Sequence, residues 1–242
     1  MKSSINLLPT VLAVSFLLAA PVSTQAQRRG QPPSQTPRTS APIDLTGYWV
    51  SVITEDWRYR MITPGKGDYG AVPISPAGRK IADSWDPVKD ESAGEQCKTY
   101  GAAAIMRRPG RLHIVWDNDT TLRVDTEEGT QTRLLRFGQS VQNTSRTWQG
   151  YSAAQWQLQG NLKVVTTQLL PGYLRKNGVP YGESAVVTEY FERVTLPNKD
   201  ELIVLTSIVE DPVYLTRPFV TSSHFKKLPG AEGWKPTPCS SK

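Results

Sequence analysis

Between residues 44 and 228, apolar and polar positions repeatedly alternate with a period of two, the mark of half-buried strands. Residues 44–54 read as a β-branched first strand, and residues 55–60 continue it or form its polar end. Residues 111–116 alternate, Asp117-Asn118-Asp119 turns, and residues 121–125 pair back. Residues 130–137 add another strand. Residues 148–156 form a polar, aromatic-bearing strand that turns at Gly160-Asn161 into the β-branched run 162–167. A second hairpin joins 186–194 to 202–209 through 196–200, and 214–227 holds the last strand or pair of strands. The best helix signal lies at 75–85, where Ser75 can cap the first turn and Pro76 can take its first position. Asp86-Pro87 ends that helix. Residues 90–101 are irregular or briefly helical, and 63–71 and 171–182 are loops punctuated by Pro and Gly.

About eight to ten strands with turn signals between them predict an all-β domain, an antiparallel barrel or sandwich with one or two short helices. Closure into a barrel removes exposed edges. Ahead of the domain, residues 1–26 predict a secretory signal: Lys2, an apolar run from Leu7 to Ala20, and small residues at Thr24-Gln25-Ala26. A short N-terminal anchor is the alternative. Residues 27–43, rich in Pro, Ser, Gln and Arg, predict a disordered linker, and 44–242 the barrel domain with its C-terminal tail.

With 242 residues, 38% of them hydrophobic, the chain can bury one sizeable core. No later stretch approaches the length of an apolar membrane span. The net charge of +6 suggests nucleic acid only until its distribution is read. Residues 1–43 hold Lys2, Arg28, Arg29 and Arg38 and no acid, so the rest of the chain is near balance. No nucleic-acid partner is expected. Cys97 and Cys239 are an even pair, and in an exported chain they invite a disulfide; two free thiols are the alternative. Neither has a His at ligand spacing, and the chain has two His in all, so no metal and no cofactor is expected. The oligomeric state is left open.

Several linked segments carry a resemblance. They are Gly47-Tyr48-Trp49, the helix start Ile74-Ser75-Pro76-Ala77-Gly78-Arg79, and Trp148-Gln149-Gly150-Tyr151-Ser152 leading to Trp156 and the 162–167 strand. Val187-Thr188-Glu189-Tyr190-Phe191-Glu192-Arg193 and Val209-Glu210-Asp211-Pro212-Val213-Tyr214 complete the set. In this order they resemble a widespread group of exported bacterial lipocalin-like (calycin-like) barrels. The resemblance implies the barrel and an exported, periplasmic or secreted location; the group brings no agreed activity. Members often carry a His-Ser before the Glu-Arg strand, where Glu183-Ser184 stands here, and a Glu after the Trp, where Gln157 stands. Roles resting on that His or that Glu do not carry over.

Candidate chemistry is sparse. His113 can act as a general base at neutral pH, and Glu189 could pair with Arg193 on the same strand face as an acid–base couple or a salt bridge. Parity puts His224 on an outer face or rim. Glu55 and Asp56 beside Trp57, Arg58 and Arg60 form a polar-aromatic cluster whose Arg forks suit a carboxylate or sulfate. Trp57, Trp116, Trp148 and Trp156, with Tyr190 and Arg193, are candidate cavity-lining residues for an amphipathic or aromatic small molecule; ordinary core packing is the alternative. Ser152 lacks the second Gly and the strand-to-helix context of a nucleophile elbow. The sequence therefore predicts a small-molecule-binding barrel, or an enzyme on that scaffold using Glu189 or His113, or a filled barrel with a structural role.

Overall fold

The computed structural model describes residues 35–139 and 145–241. The expected signal segment, 1–26, and linker residues 27–34 lie outside them. In chain order the elements are β1 (Gly47–Val52), α1 (Trp57–Arg60), α2 (Pro76–Asp83), α3 (Pro87–Ser92) and two 3-10 turns (Gln96–Tyr100 and Ile105–Arg107). Then come β2 (Arg111–Asn118), β3 (Thr121–Thr126), β4 (Glu128–Gly129), β5 (Gln131–Phe137), β6 (Tyr151–Trp156) and β7 (Leu162–Thr167). β8 (Gly172–Tyr173), β9 (Pro180–Tyr181), β10 (Val186–Thr195), β11 (Glu201–Glu210), β12 (Phe219–Leu228) and β13 (Thr237–Pro238) complete the chain.

Nine strands close a barrel in the order β1-β2-β3-β5-β6-β7-β10-β11-β12, with β1 hydrogen-bonded to both β2 and β12. A closed ring with an odd number of strands cannot be antiparallel throughout. The parallel contact falls between β5 and β6, Leu135 opposite Ser152, and the other barrel pairs are antiparallel.

Strand parity decides what fills the lumen. β10 sends Val187, Glu189 and Phe191 inward, and β11 sends Ile203, Leu205, Ser207 and Val209. Two apolar clusters result, one around Trp49, Leu135, Phe191, Leu205 and Phe225, the other around Tyr181, Val187, Val209 and Phe219. A polar belt runs between them. Arg133, Ser152, Thr166, Glu189, Ser207 and Ser223 are all buried, one from each of six neighbouring strands, β5 to β12. Trp49 is fully buried and donates its Nε1–H to the Leu45 carbonyl at 2.9 Å.

Local chemistry accounts for the short elements. Ser75 caps α2, its hydroxyl accepting from Gly78 N at 3.0 Å with Pro76 in the first turn. Asp86-Pro87 does more than stop that helix. The Asp86 carboxylate accepts from Val88 and Lys89 N–H and caps α3. Residues 55–60 are not the end of β1. Asp56 takes a left-handed conformation (φ 50°) and starts the single turn of α1. Order also begins earlier than predicted. Within the expected linker, Pro37 O accepts from Trp156 Nε1 at 2.8 Å and Arg38 N donates to Asp119 O. The tail is tied down by a Cys97–Cys239 disulfide, by β13 beside β4, and by Lys235 N donating to Glu127 at 2.7 Å. No helix among the described residues is long and apolar enough to cross a membrane.

Candidate functional site

The residues singled out in the sequence scatter. Glu189 does not meet Arg193. It is fully buried in the polar belt and takes a two-pronged ion pair from Arg133, at 3.0 and 2.5 Å. Arg133 also donates to Thr166 at 3.4 Å, and Thr166 shares a 2.7 Å hydrogen bond with Ser152. Apolar clusters lie on either side of this set, and Glu189 is 0% exposed. Arg193 instead pairs with Glu201 across the β10–β11 hairpin. His113 lies on the outer face of β2, stacked on Tyr48 with ring centroids 4.2 Å apart and 3.7 Å from the Asp125 carboxylate. His113 and Glu189 thus stand on opposite sides of the barrel wall.

The aromatic candidates do not line a common cavity. Trp116 and Trp156 pack on Phe137, with centroids 5.5 and 5.3 Å away, at the edge of the first apolar cluster. Trp148 hydrogen-bonds the Pro171 carbonyl at 3.2 Å. Tyr190 lies on the outer face beneath the Lys163 ammonium. Trp57 and Arg58 are exposed on α1, Arg58 in an ion pair with Asp68. Arg193 lines an open cleft of about 510 Å³ with Pro42, Asn161 and Glu192, and Arg60 lines a small cavity rich in cations.

That site lies outside the strands, over the second apolar cluster. Tyr59 and Arg60 of α1, Thr99, Ala104, Arg107 and Arg108 from the 3-10 segments, and Leu174, Arg175 and Lys176 from the β8–β9 connection enclose a cavity of about 20 Å³, room for about one water. Five cations therefore converge. Three have carboxylate partners: Arg60 with Glu55, Arg107 with Asp56 at 2.9 Å, and Arg108 with Glu128 at 3.5 Å. Arg175 forms no ion pair among the described residues. It donates to Gly70 O at 2.6 Å and lies over the Tyr59 ring at 4.0 Å. Arg60 Nε also donates to the Arg107 backbone carbonyl at 2.9 Å, which ties its side chain to that segment.

Donors are left over. Arg60 Nη2, Arg107 Nη1, Arg108 Nε, Arg175 Nε and Nη2, and Thr99 Oγ1 are buried without a partner among the described residues. Buried polar groups are nearly always hydrogen-bonded, so this concentration needs a cause. The electrostatics agree. Burial, then the charge of Arg107, pulls the Arg175 guanidinium down to about 10. Burial lowers Arg60, offset in part by Glu55, and burial followed by Arg108 lowers Lys176. An anion at this point would accept from the orphan donors and screen the mutual repulsion.

The local fold explains why charged side chains are held there. The connection 174–181 is buried throughout. Gly178, at φ +80°, lies against the Trp85 ring where a Cβ would clash, and Asn177 donates to Asp68 O at 2.9 Å. On the other flank, Glu55 bridges Arg60 to His224, whose Nδ1 lies 3.1 Å from Glu55 Oε2. Among the described residues no cluster of three or more His, Cys, Asp or Glu is disposed to hold a metal ion. Sequence reading missed Arg107, Arg108, Arg175, Lys176 and Thr99. The available signal was two basic pairs, Arg107-Arg108 after the apolar run 102–106 and Arg175-Lys176 inside a Gly/Pro-rich connection. Compared with known protein families and with curated proteins, the chain finds no match.

Proposed function

We propose that this protein binds the anionic group of a small molecule, a phosphate, sulfate or carboxylate, in the cation-lined cavity between α1 and the β8–β9 connection. One observation carries the reading: six buried donor atoms without partners among the described residues belong to four arginines and a threonine that line one water-sized space. The space holds about one water, so an oxyanion, alone or as the head of a longer amphipathic molecule, enters only as the surrounding side chains shift apart. The disulfide supports an oxidising compartment, and the reading is of a periplasmic or secreted lipocalin-like barrel that works as a binding protein at one end of a filled lumen.

The test is calorimetric titration with inorganic phosphate and sulfate, paired with thermal unfolding in phosphate and in chloride of equal ionic strength. Both anions stabilise proteins generally by exclusion from their surfaces, so the control is Arg175→Met, which feels that effect equally. The expected result is saturable binding and a concentration-dependent rise in Tm for the wild type, both lost in Arg175→Met. If the two proteins respond alike, the anion site is refuted. The filled barrel then favours the structural reading.

A further inference from the structure

We infer that Trp57, Met61 and Ile62 form a membrane-contacting tip that docks the protein on an anionic lipid surface. These side chains are 60%, 58% and 61% exposed, and they fall within six consecutive residues. Single exposed apolar side chains are ordinary, but three large ones within six residues form a local apolar patch. Trp57 and Met61 are four apart and joined by the Met61 N–Trp57 O hydrogen bond of 2.9 Å, so they share one face. Ile62 follows directly, and the chain then runs through Pro64, Gly65, Lys66 and Gly67.

The single turn of α1 is two-sided. Arg60 is buried and, with Tyr59, lines the cation cavity; Trp57, Arg58 and Met61 face solvent. Charge chooses the partner. Exposed Arg58 and Lys66 flank the tip, and the five cations of the cavity lie behind it. Four of these seven cations, Arg58, Arg60, Arg107 and Arg108, are paired with Asp68, Glu55, Asp56 and Glu128, so the named groups keep a positive balance. Size excludes a stable protein partner. Three side chains fall far short of the roughly 1,200–2,000 Å² that specific protein interfaces bury. A lipid surface needs only a few inserted apolar groups beside cations, with Trp suited to the headgroup boundary. The inference stands on the exposed tip and its charges, whether or not a free anion occupies the cavity.

The test is co-sedimentation of the purified protein with vesicles of phosphatidylcholine alone and of phosphatidylcholine mixed with phosphatidylglycerol. The wild type should pellet with the mixed vesicles and scarcely with the neutral ones. The triple variant Trp57→Ser, Met61→Ser, Ile62→Ser should lose about tenfold or more in partitioning, since binding scales with the apolar area inserted. Vesicles with brominated acyl chains give a second measurement on the intact fold. They should quench part of the wild-type Trp fluorescence, and that part should vanish in Trp57→Phe. Equal partitioning of wild type and triple variant, equal binding to neutral vesicles, or quenching unchanged in Trp57→Phe overturns the inference. Phosphate titration of the same triple variant separates the two readings. Solution binding retained while wild-type vesicle binding is absent refutes the tip alone; vesicle binding without phosphate binding supports the tip and refutes the anion cavity.

Discussion

If Glu189 is held for structure and not for catalysis, removing it together with Arg133 should do little harm, and removing either alone should do much. Both side chains are within 1% of complete burial, and the pair is two-pronged. Glu189→Leu strands a guanidinium in a dry lumen, and breaking a buried pair in this way costs about 3–5 kcal/mol. Arg133→Met strands a carboxyl, a group that protonation can neutralise at ordinary pH, whereas a guanidinium stays charged there, so it is the milder single change. In the double variant no charge remains, Met and Leu approximate the removed volumes, and Thr166 keeps Ser152 as its partner. Its stability should fall within about 1–2 kcal/mol of wild type, since apolar replacement of buried pairs is often near neutral. For a domain of this size the single variants should lower Tm by roughly 6–20 °C, at about 2–4 °C per kcal/mol. Urea denaturation of the four proteins gives the cycle directly. Single costs under about 1 kcal/mol, or a double variant as unstable as the two singles added together, would refute the argument. The double variant should also still bind phosphate, because the cation cavity lies outside the strands that carry the pair.

Two other outcomes follow from the same physics. The Cys97–Cys239 bridge closes a loop of 142 residues, and in the chain-entropy account its loss costs about 5 kcal/mol; urea unfolding of Cys97→Ser/Cys239→Ser against wild type measures this, and a cost near zero would mean the tail is held without it. Arg175, pulled down to about 10 in the fold against an ordinary value of 12.5, binds fewer protons folded than unfolded between those values, so its burial penalty is full at neutral pH and lifts as pH rises through that window. The stability difference between wild type and Arg175→Met should therefore move in favour of wild type above about pH 10, and phosphate affinity should fall over the same range; parallel pH–stability curves would contradict it.

The strands were legible because their signal is local. Period-two alternation put Glu189 and Phe191 on one face and His113 opposite Leu112 and Ile114, and the burial follows that parity. Ser75-Pro76 announced α2 for the same reason: a cap is chemistry within four residues. What could not be read depends on strand order. Glu189 pairs with Arg133, not Arg193, because the parallel β5–β6 contact brings β5 into reach across the lumen. α1 was misread because Glu55-Asp56-Trp57-Arg58 has no strong pattern; its turn is set by the positive φ of Asp56 and by ion pairs to Arg60 and Arg107. The cation cavity draws on three segments that meet only after folding. Nothing local to Arg175-Lys176, in a stretch that reads as a surface loop, says that both are buried.

Where function falls in this molecule follows from what the barrel has already done with its interior. Trp49, Phe191 and Phe225 belong to one apolar cluster, Tyr181 and Phe219 to the other, and in the belt between them Arg133 and Glu189 pair, with Arg133 Nε left without a partner among the described residues. The cation cavity is built on the opposite plan. It gathers five like charges and leaves donors on its four arginines unmatched among the described residues, an arrangement that destabilises the fold unless something offsets it. The belt, by contrast, spends its one Arg and one Glu on each other. A chain that pairs Arg133 with Glu189 in its interior and leaves the Arg175 guanidinium without an ion pair among the described residues has the arrangement expected where a partner arrives from outside.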